Sequence, residues 1–279
     1  MKELIDQNQE LIRLALEEDI GAGDITTDAL IAPESTATAV IYAKEPLIIA
    51  GLPVAKEVFT TLDPTANFDT TFQDGDRAES NDDILTVQCT LRALLTGERT
   101  ALNFLQRLSG ISTHTRKYVD RVAGSSVRLT DTRKTIPGWR SLEKYAVKVG
   151  GAHNHRFGLY DAILIKDNHI AACGGISEAV AKVQSDKDAS QQIEVEVSDL
   201  GQVKEALESR ADIIMLDNMN LTDIRRAVTF VKGRALIEVS GGVTLDRLTE
   251  IADTGVDIIS IGALTHSARA VDISMRLVE

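Results

Sequence analysis

Three features of this 279-residue sequence predict an α/β fold. The first hundred or so residues mix helical and strand patterns, six short β-branched runs follow Val127, and amphipathic helical segments separate most of those runs. Strand–helix alternation with short links produces parallel βαβ units. In the N-terminal part, ELIRLALEED (10–19) has helical periodicity, and ATAVIYA (37–43) and residues 84–91 read as strands. GERTALNFLQRLS (97–109) spaces Leu102, Leu105 and Leu108 helically, and its continuation to Val119 or Val122 bridges two halves. The runs VRLT (127–130), AILI (162–165), IEVEV (193–197), DIIML (212–216), ALIEV (235–239) and DIISI (257–261) are mostly apolar, as strands covered on both faces should be. Helices are expected at 176–183, 200–207, 223–231 and 245–253. Six strands suit a six-stranded, incomplete α/β barrel, with an open doubly wound sheet as the competitor. The expected boundaries are 1–108 for a sandwich-like mixed domain and 109–269 for the barrel, with 270–279 as a candidate to rejoin the first.

Composition narrows the function. An apolar fraction of 43% and a charged fraction of 26% describe a globular chain and exclude disordered, collagenous and coiled-coil classes. No apolar run reaches about 18 residues, so no membrane span is expected. The acidic start MKELIDQNQELIRLALEED has neither a signal peptide's apolar stretch nor a transit peptide's Arg-rich look. Cys89 and Cys173 are too few for a disulfide framework, and the reducing cytoplasm is the expected compartment. A net charge of −12 disfavours nucleic acid and membrane as partners. Yet residues 128–166 carry eight basic against three acidic side chains, a cationic island suited to a small, highly anionic ligand.

The strand ends carry the candidate chemistry, because parallel α/β folds bind ligands at the carboxyl ends of strands. Asp131, Arg133 and Lys134 follow the first strand, and Lys166-Asp167-Asn168-His169 the second. Asp217-Asn218, Ser240-Gly241-Gly242 and Gly262-Ala263, with His266 beyond, follow the last three. Glu194 and Glu196 stand two apart on the third strand and share a face, toward the barrel interior or toward the helices. With Asp217 they suit Mg²⁺ shared with substrate phosphates, or sugar hydroxyls. The two glycine loops suit phosphate, with the next helix adding its positive end. His153 and His155, at i and i+2 on a strand, have no third ligand for a transition metal, and no base can be assigned to Cys173. Lys166 has a second reading as a Schiff-base lysine.

TDTRKTIPGWRSLEKYAVKVGGAHNHRFGLYDAILIKDNHI (130–170) resembles the signature block of the quinolinate phosphoribosyltransferases, the carboxylating nicotinate-nucleotide pyrophosphorylases. GERTALNFLQRLSGISTHT (97–115), IEVEV, ADIIMLDN, EVSGGV and GVDIISIGALTHSA match in order, and EEDIGAGDITTDAL (17–30) resembles the family's N-terminal segment. Departures fall at uncharged positions such as Trp139 and at Ala152-His153. The resemblance implies a mixed α+β N-terminal domain, an incomplete six-to-seven-stranded α/β barrel, and a homodimer or larger assembly whose site is shared across the interface. The implied reaction joins quinolinate and 5-phosphoribosyl-1-pyrophosphate with Mg²⁺ and no organic cofactor, giving nicotinate mononucleotide, pyrophosphate and CO₂ on the route to NAD. The implied quinolinate ligands are Arg133, Lys134, His155, Arg156 and Lys166, with Arg99 from the neighbouring subunit. Glu196 and Asp217 would serve ribose and Mg²⁺. Ser240, Gly241, Gly262 and His266 would hold phosphate. Lys134, Lys166, Glu196 and Asp217 would be the catalytic set.

Overall fold

The computed structural model describes residues 2–186 and 191–278; Met1, residues 187–190 and Glu279 lie outside the described residues. By contacts the chain divides into two compact units, the first running through Arg116 and including Thr135–Gly151 and the residues from Ser267, the second holding Lys117–Lys134 and Ala152–His266.

The first unit opens with α1 (Lys2–Ile20), which turns Ile12 and Leu16 inward and stops where Gly21 takes a left-handed φ of 53°. Asp24 caps α2 (Ile25–Leu30) by accepting the Thr26 and Thr27 N–H groups. Then come β1 (Thr36–Ala43), β2 (Leu47–Ile48), α3 (Leu52–Leu62), β3 (Asn67–Asp69), β4 (Arg77–Ala78) and β5 (Asp83–Thr90). β1 pairs antiparallel with β5, and β5 with β3. The last strand, Ile273–Val278, pairs antiparallel with β1 on its other side. Helix α4 (Leu91–Arg121) begins six residues before Gly97, where the sequence pattern starts it. Gly97 is a spacer rather than a start: a Cβ there would lie 2.9 Å from Leu62 of α3. Helix α5 (Arg140–Val149) also belongs to this unit.

The second unit is built on β6 (Arg128–Thr130), β7 (Ile163–Ile165), β8 (Ile193–Val197), β9 (Ile213–Asp217), β10 (Leu236–Ser240) and β11 (Ile258–Ser260). All pairings are parallel, in the order β6-β11-β10-β9-β8-β7. The order decides between the two expected architectures. A doubly wound sheet reverses its strand order at a switch point. Here β7 to β11 advance one by one and β6 joins beyond β11, so the ring is open only between β6 and β7: an incomplete barrel. Along the free edge of β6 lies His153, bridged to Thr130. His153 and His155 therefore sit on an irregular segment and not on a strand, which corrects that expectation. Between the strands run α6 (Asp167–Cys173), α7 (Ile176–Asp186), α8 (Leu200–Glu208), α9 (Leu221–Val231), α10 (Leu248–Ala252) and α11 (Ala263–His266). α10 is shorter than its pattern because residues 245–247 form turn. Among the described residues no helix is long and apolar enough to cross a membrane.

Candidate active site

At the carboxyl ends of the six strands the second unit holds a cavity of about 650 Å³. β6 runs into Arg133 and Lys134, β7 into Lys166, and β8 presents Glu196. β9 ends in Asp217, β10 in Ser240 with Gly241 and Gly242 following, and β11 in Ser260 with Gly262 and His266 beyond. His155 and Arg156 complete the cationic wall. Eleven of the twelve substrate-site residues that the resemblance implies thus line one cavity. Arg99 does not; it lies on α4 in the first unit, beside a smaller cavity of about 320 Å³ with Asp19, Asp24 and Thr96.

Local geometry places each group. Lys166 ends β7 and caps α6: its backbone N–H donates to His169 Nδ1 at 3.0 Å, which accounts for the KDNH run. The Lys166 ammonium donates to Glu196 Oε2 at 2.5 Å. Glu196 therefore faces the cavity, whereas Glu194, two residues earlier, is 4% exposed and turns toward His155. The expected shared face of the two glutamates is the interior, with different depths along the strand. Asp131, fully buried, accepts the His155 N–H at 2.8 Å and the Asn154 amide at 2.6 Å. That carboxylate anchors the segment carrying His155 and Arg156. Burial, and then the charge of Arg133, lowers the pKa of Arg156, partly offset by Glu194 and Asp161. Two guanidinium groups this near one another form a site suited to a dianion.

His155 is held at both nitrogens. Its Nε2 lies 3.3 Å from Glu194 and 3.4 Å from Glu238. Burial opposes charge on the ring, and the contacts with the two carboxylates raise its pKa. Full protonation, however, would set an Nδ1 proton against the Arg156 N–H, which points at Nδ1 from 2.8 Å. The backbone contact makes Nδ1 an acceptor, and Nε2 carries the proton. Burial and the charge of Glu238 raise the pKa of Glu194, against the pull of His155. The sequence reading missed Glu238, although an acidic residue inside the apolar run ALIEV was its signal.

His155, Glu194 and Glu238 also bring their ligand atoms within 4.8 Å of one another, the spacing of a metal site. The donor set does not fit one. A metal on Nε2 calls for a proton on Nδ1, and that nitrogen accepts the Arg156 N–H. Glu196 and Asp217, with oxygen donors at the cavity wall, fit a hard divalent ion.

The glycine loops differ from expectation in one respect. No helix of useful length starts at either: α10 begins at Leu248, six residues past Gly242, and α11 has four residues. Backbone amides there act without a macrodipole. Gly241 and Gly242 have φ of 87° and 58°. A Cβ on Gly241 would lie 2.3 Å from the Asn218 amide, which itself donates to Asp217 at 2.9 Å. Gly262 leaves room for the Lys134 side chain, whose Cδ a Cβ would approach to 2.9 Å.

Residues 24–109 match the model of the quinolinate phosphoribosyl transferase N-terminal domain, and residues 111–276 that of the C-terminal domain. The chain belongs to the quinolinate phosphoribosyltransferase family. The "probable nicotinate-nucleotide pyrophosphorylase [carboxylating]" of Bacillus subtilis (strain 168) is 45% identical over 258 residues, 92% of this chain and 89% of that protein. The nicotinate-nucleotide pyrophosphorylase [carboxylating] of Mycobacterium leprae (strain TN) is 42% identical over 98% of both chains. Among solved structures, NadC from Streptococcus pyogenes superposes with a TM-score of 0.95 at 42% identity, covering 99% of this chain and 98% of that one. The N-terminal α+β unit and the incomplete barrel are thus the fold of quinolinate phosphoribosyltransferases.

Proposed function

We propose that this protein transfers the phosphoribosyl group of 5-phosphoribosyl-1-pyrophosphate to quinolinate with decarboxylation, giving nicotinate mononucleotide, pyrophosphate and CO₂ for NAD synthesis. The observation that carries this reading is the convergence of Arg133, Lys134, Arg156 and Lys166 with two glycine loops on a single cavity. Dicarboxylate and phosphate anions lose their hydration at a large cost unless cations and amide donors replace it. Guanidinium groups grip planar carboxylates by two parallel hydrogen bonds. The buried Arg133 Nε has no hydrogen-bond partner among the described residues and is a donor in reserve. Lys166 pairs with Glu196 and is 44% exposed, unlike the desolvated lysine that Schiff-base chemistry calls for.

In the first step the bond from ribose C1 to pyrophosphate breaks, the leaving group takes the electron pair, and the ring nitrogen of quinolinate attacks C1. Glu196 and Asp217 stabilise the positive charge growing on the sugar, and Lys134 and Lys166 the negative charge on the departing oxygens. Alignment of two bound reactants supplies up to about 7–11 kcal/mol. Mg²⁺, held by Glu196 and Asp217 together with substrate phosphates, would supply further charge neutralisation at the leaving group. In the second step the bond from ring carbon 2 to its carboxylate breaks. The electron pair stays on that carbon beside the cationic nitrogen, and a proton then takes the place of CO₂. No organic cofactor is needed.

Ser240, Gly241, Gly262 and His266 bind phosphate in this reading, and His155 joins the quinolinate site. Arg99 reaches the site of a neighbouring copy in a homodimer or larger assembly. Two free thiols, Cys89 and Cys173, suit a reducing cytoplasm. Steady-state loss of quinolinate in the presence of 5-phosphoribosyl-1-pyrophosphate and Mg²⁺ is the test. Turnover that stops on chelation is expected, and no turnover under these conditions overturns the reading.

A further inference from the structure

The mechanism leaves two buried carboxylates without a task. Glu194 on β8 and Glu238 on β10 are 4% and 1% exposed, in strands that are otherwise apolar at these depths. Burying carboxylates is costly, and well-packed apolar side chains of similar volume are often the more stable choice. Their presence calls for a role other than packing. We propose that Glu194 and Glu238 are positioning residues of the quinolinate site: across the barrel interior they hold Nε2 of His155, and through it the backbone that carries Arg156. The assignment rests on the quinolinate reading above and deepens it.

The geometry leads step by step to Arg156. The segment that bears it enters along the free edge of β6, where the His153 N–H donates to Leu129 O at 2.9 Å and the Asp131 N–H to His153 O at 3.1 Å. Asp131 then takes the His155 N–H on its carboxylate. From that edge the imidazole reaches the opposite side of the ring of strands. Its Nε2 meets Glu194 and Glu238, which flank β9: the register pairs Glu194 with Ile213 and Glu238 with Met215. With Nε2 held there, Nδ1 is fixed in space, and the Arg156 N–H donates to it at 2.8 Å. The ring is thus a strut between the barrel interior and the main chain of Arg156. On the side chain itself, Arg156 Nη1 donates to Ala162 O at 3.3 Å, and Glu194 favours its charge. A guanidinium held from both its backbone and its side chain pays less ordering entropy on gripping a carboxylate.

Kinetics of Glu194→Leu, Glu238→Leu and Glu238→Gln beside wild type test the assignment, with thermal unfolding of each. The Leu variants should raise the quinolinate KM on the order of tenfold, since each removes one of the two carboxylates that flank Nε2. The KM for 5-phosphoribosyl-1-pyrophosphate should stay within about twofold, since neither carboxylate lines the cavity and both meet His155 instead. Glu238→Gln, which keeps an acceptor for Nε2, should fall between, at about threefold. Calorimetric binding of quinolinate to the enzyme alone should weaken in the same order. An unchanged quinolinate KM in folded Leu variants, or an equal rise in both KM values, overturns the assignment. Should the Leu variants fail to fold, Glu238→Gln and Glu194→Gln decide it, and wild-type quinolinate affinity in both overturns it. Active wild type with unaltered variants removes this assignment alone; inactive wild type removes the quinolinate reading and this inference with it.

Discussion

Arg156 shows how much one side chain asks of its surroundings. Its backbone N–H is taken by His155, its guanidinium reaches Ala162 O, and Arg133 stands near enough to depress its pKa. Lysine would keep the charge and lose the planar two-pronged grip. Arg156→Lys should therefore raise the quinolinate KM about 10- to 100-fold, equivalent to roughly 1.5–3 kcal/mol, as measured by steady-state kinetics at saturating co-substrate. Wild-type kinetics in that variant would remove Arg156 from the carboxylate site. The residue types in this wall were legible in the sequence, because a cationic island in a chain of net charge −12 stands out. The Glu194–His155–Glu238 strut was not, since it joins residues up to 83 positions apart, a spacing that only the closing of the barrel makes meaningful.

At the scale of elements, α4 is where close packing leaves least freedom. Gly110 sits inside it, and a Cβ there would lie 2.1 Å from the Arg269 carbonyl oxygen, a backbone atom that cannot swing away. Gly110→Ala should destabilise the fold by about 2–3 kcal/mol despite alanine's better helix propensity, seen as a lower Tm. An unchanged Tm would show that the 269–270 backbone yields. The end of α3 (Leu52–Leu62) gives a pH dependence. Asp63 accepts the Thr65 hydroxyl at 2.6 Å and the Thr90 N–H at 2.8 Å, and these bonds, with the Thr65 N–H, hold its pKa down to about 2. A carboxyl depressed on folding contributes stability above its unfolded pKa near 3.9, and that contribution is lost as pH falls through the folded value. Wild type should therefore lose stability between pH about 4 and about 2 more steeply than Asp63→Asn, in denaturant titrations across that range. Parallel slopes would show that Asp63 is not the group responsible. The strands themselves were plain from their β-branched runs. Helix starts were less so: Gly97 reads as punctuation locally, and its packing on Leu62 is a tertiary fact.

For the whole molecule the decisive question is how copies of the chain cooperate. Arg99 lines the smaller cavity of the first unit and not the barrel cavity of the second, and it is proposed to act in a neighbour. Arg99→Ala and Arg156→Ala should each be nearly inactive. Mixed and reassembled as dimers, they should recover about a quarter of wild-type activity, because half the dimers are hybrids and each hybrid owns one intact site out of two. No recovery from a verified hybrid would mean that Arg99 serves its own chain or none.

By itself the sequence determined the α/β class, the six parallel strands and the charged members of the cavity wall. Strand periodicity is local, and in parallel folds the residues after each strand gather at one end. Tertiary structure alone decided the rest. That the strands form an open ring rather than a doubly wound sheet depends on β6 hydrogen-bonding to β11 instead of β7. That residues 135–151 belong with the first unit depends on contacts made far away in sequence. Which glutamate of IEVEV faces the cavity depends on depth within the ring, where Glu196 meets Lys166 and Glu194 meets His155. Alternation along a strand specifies a face, but only the neighbouring strands specify what that face meets.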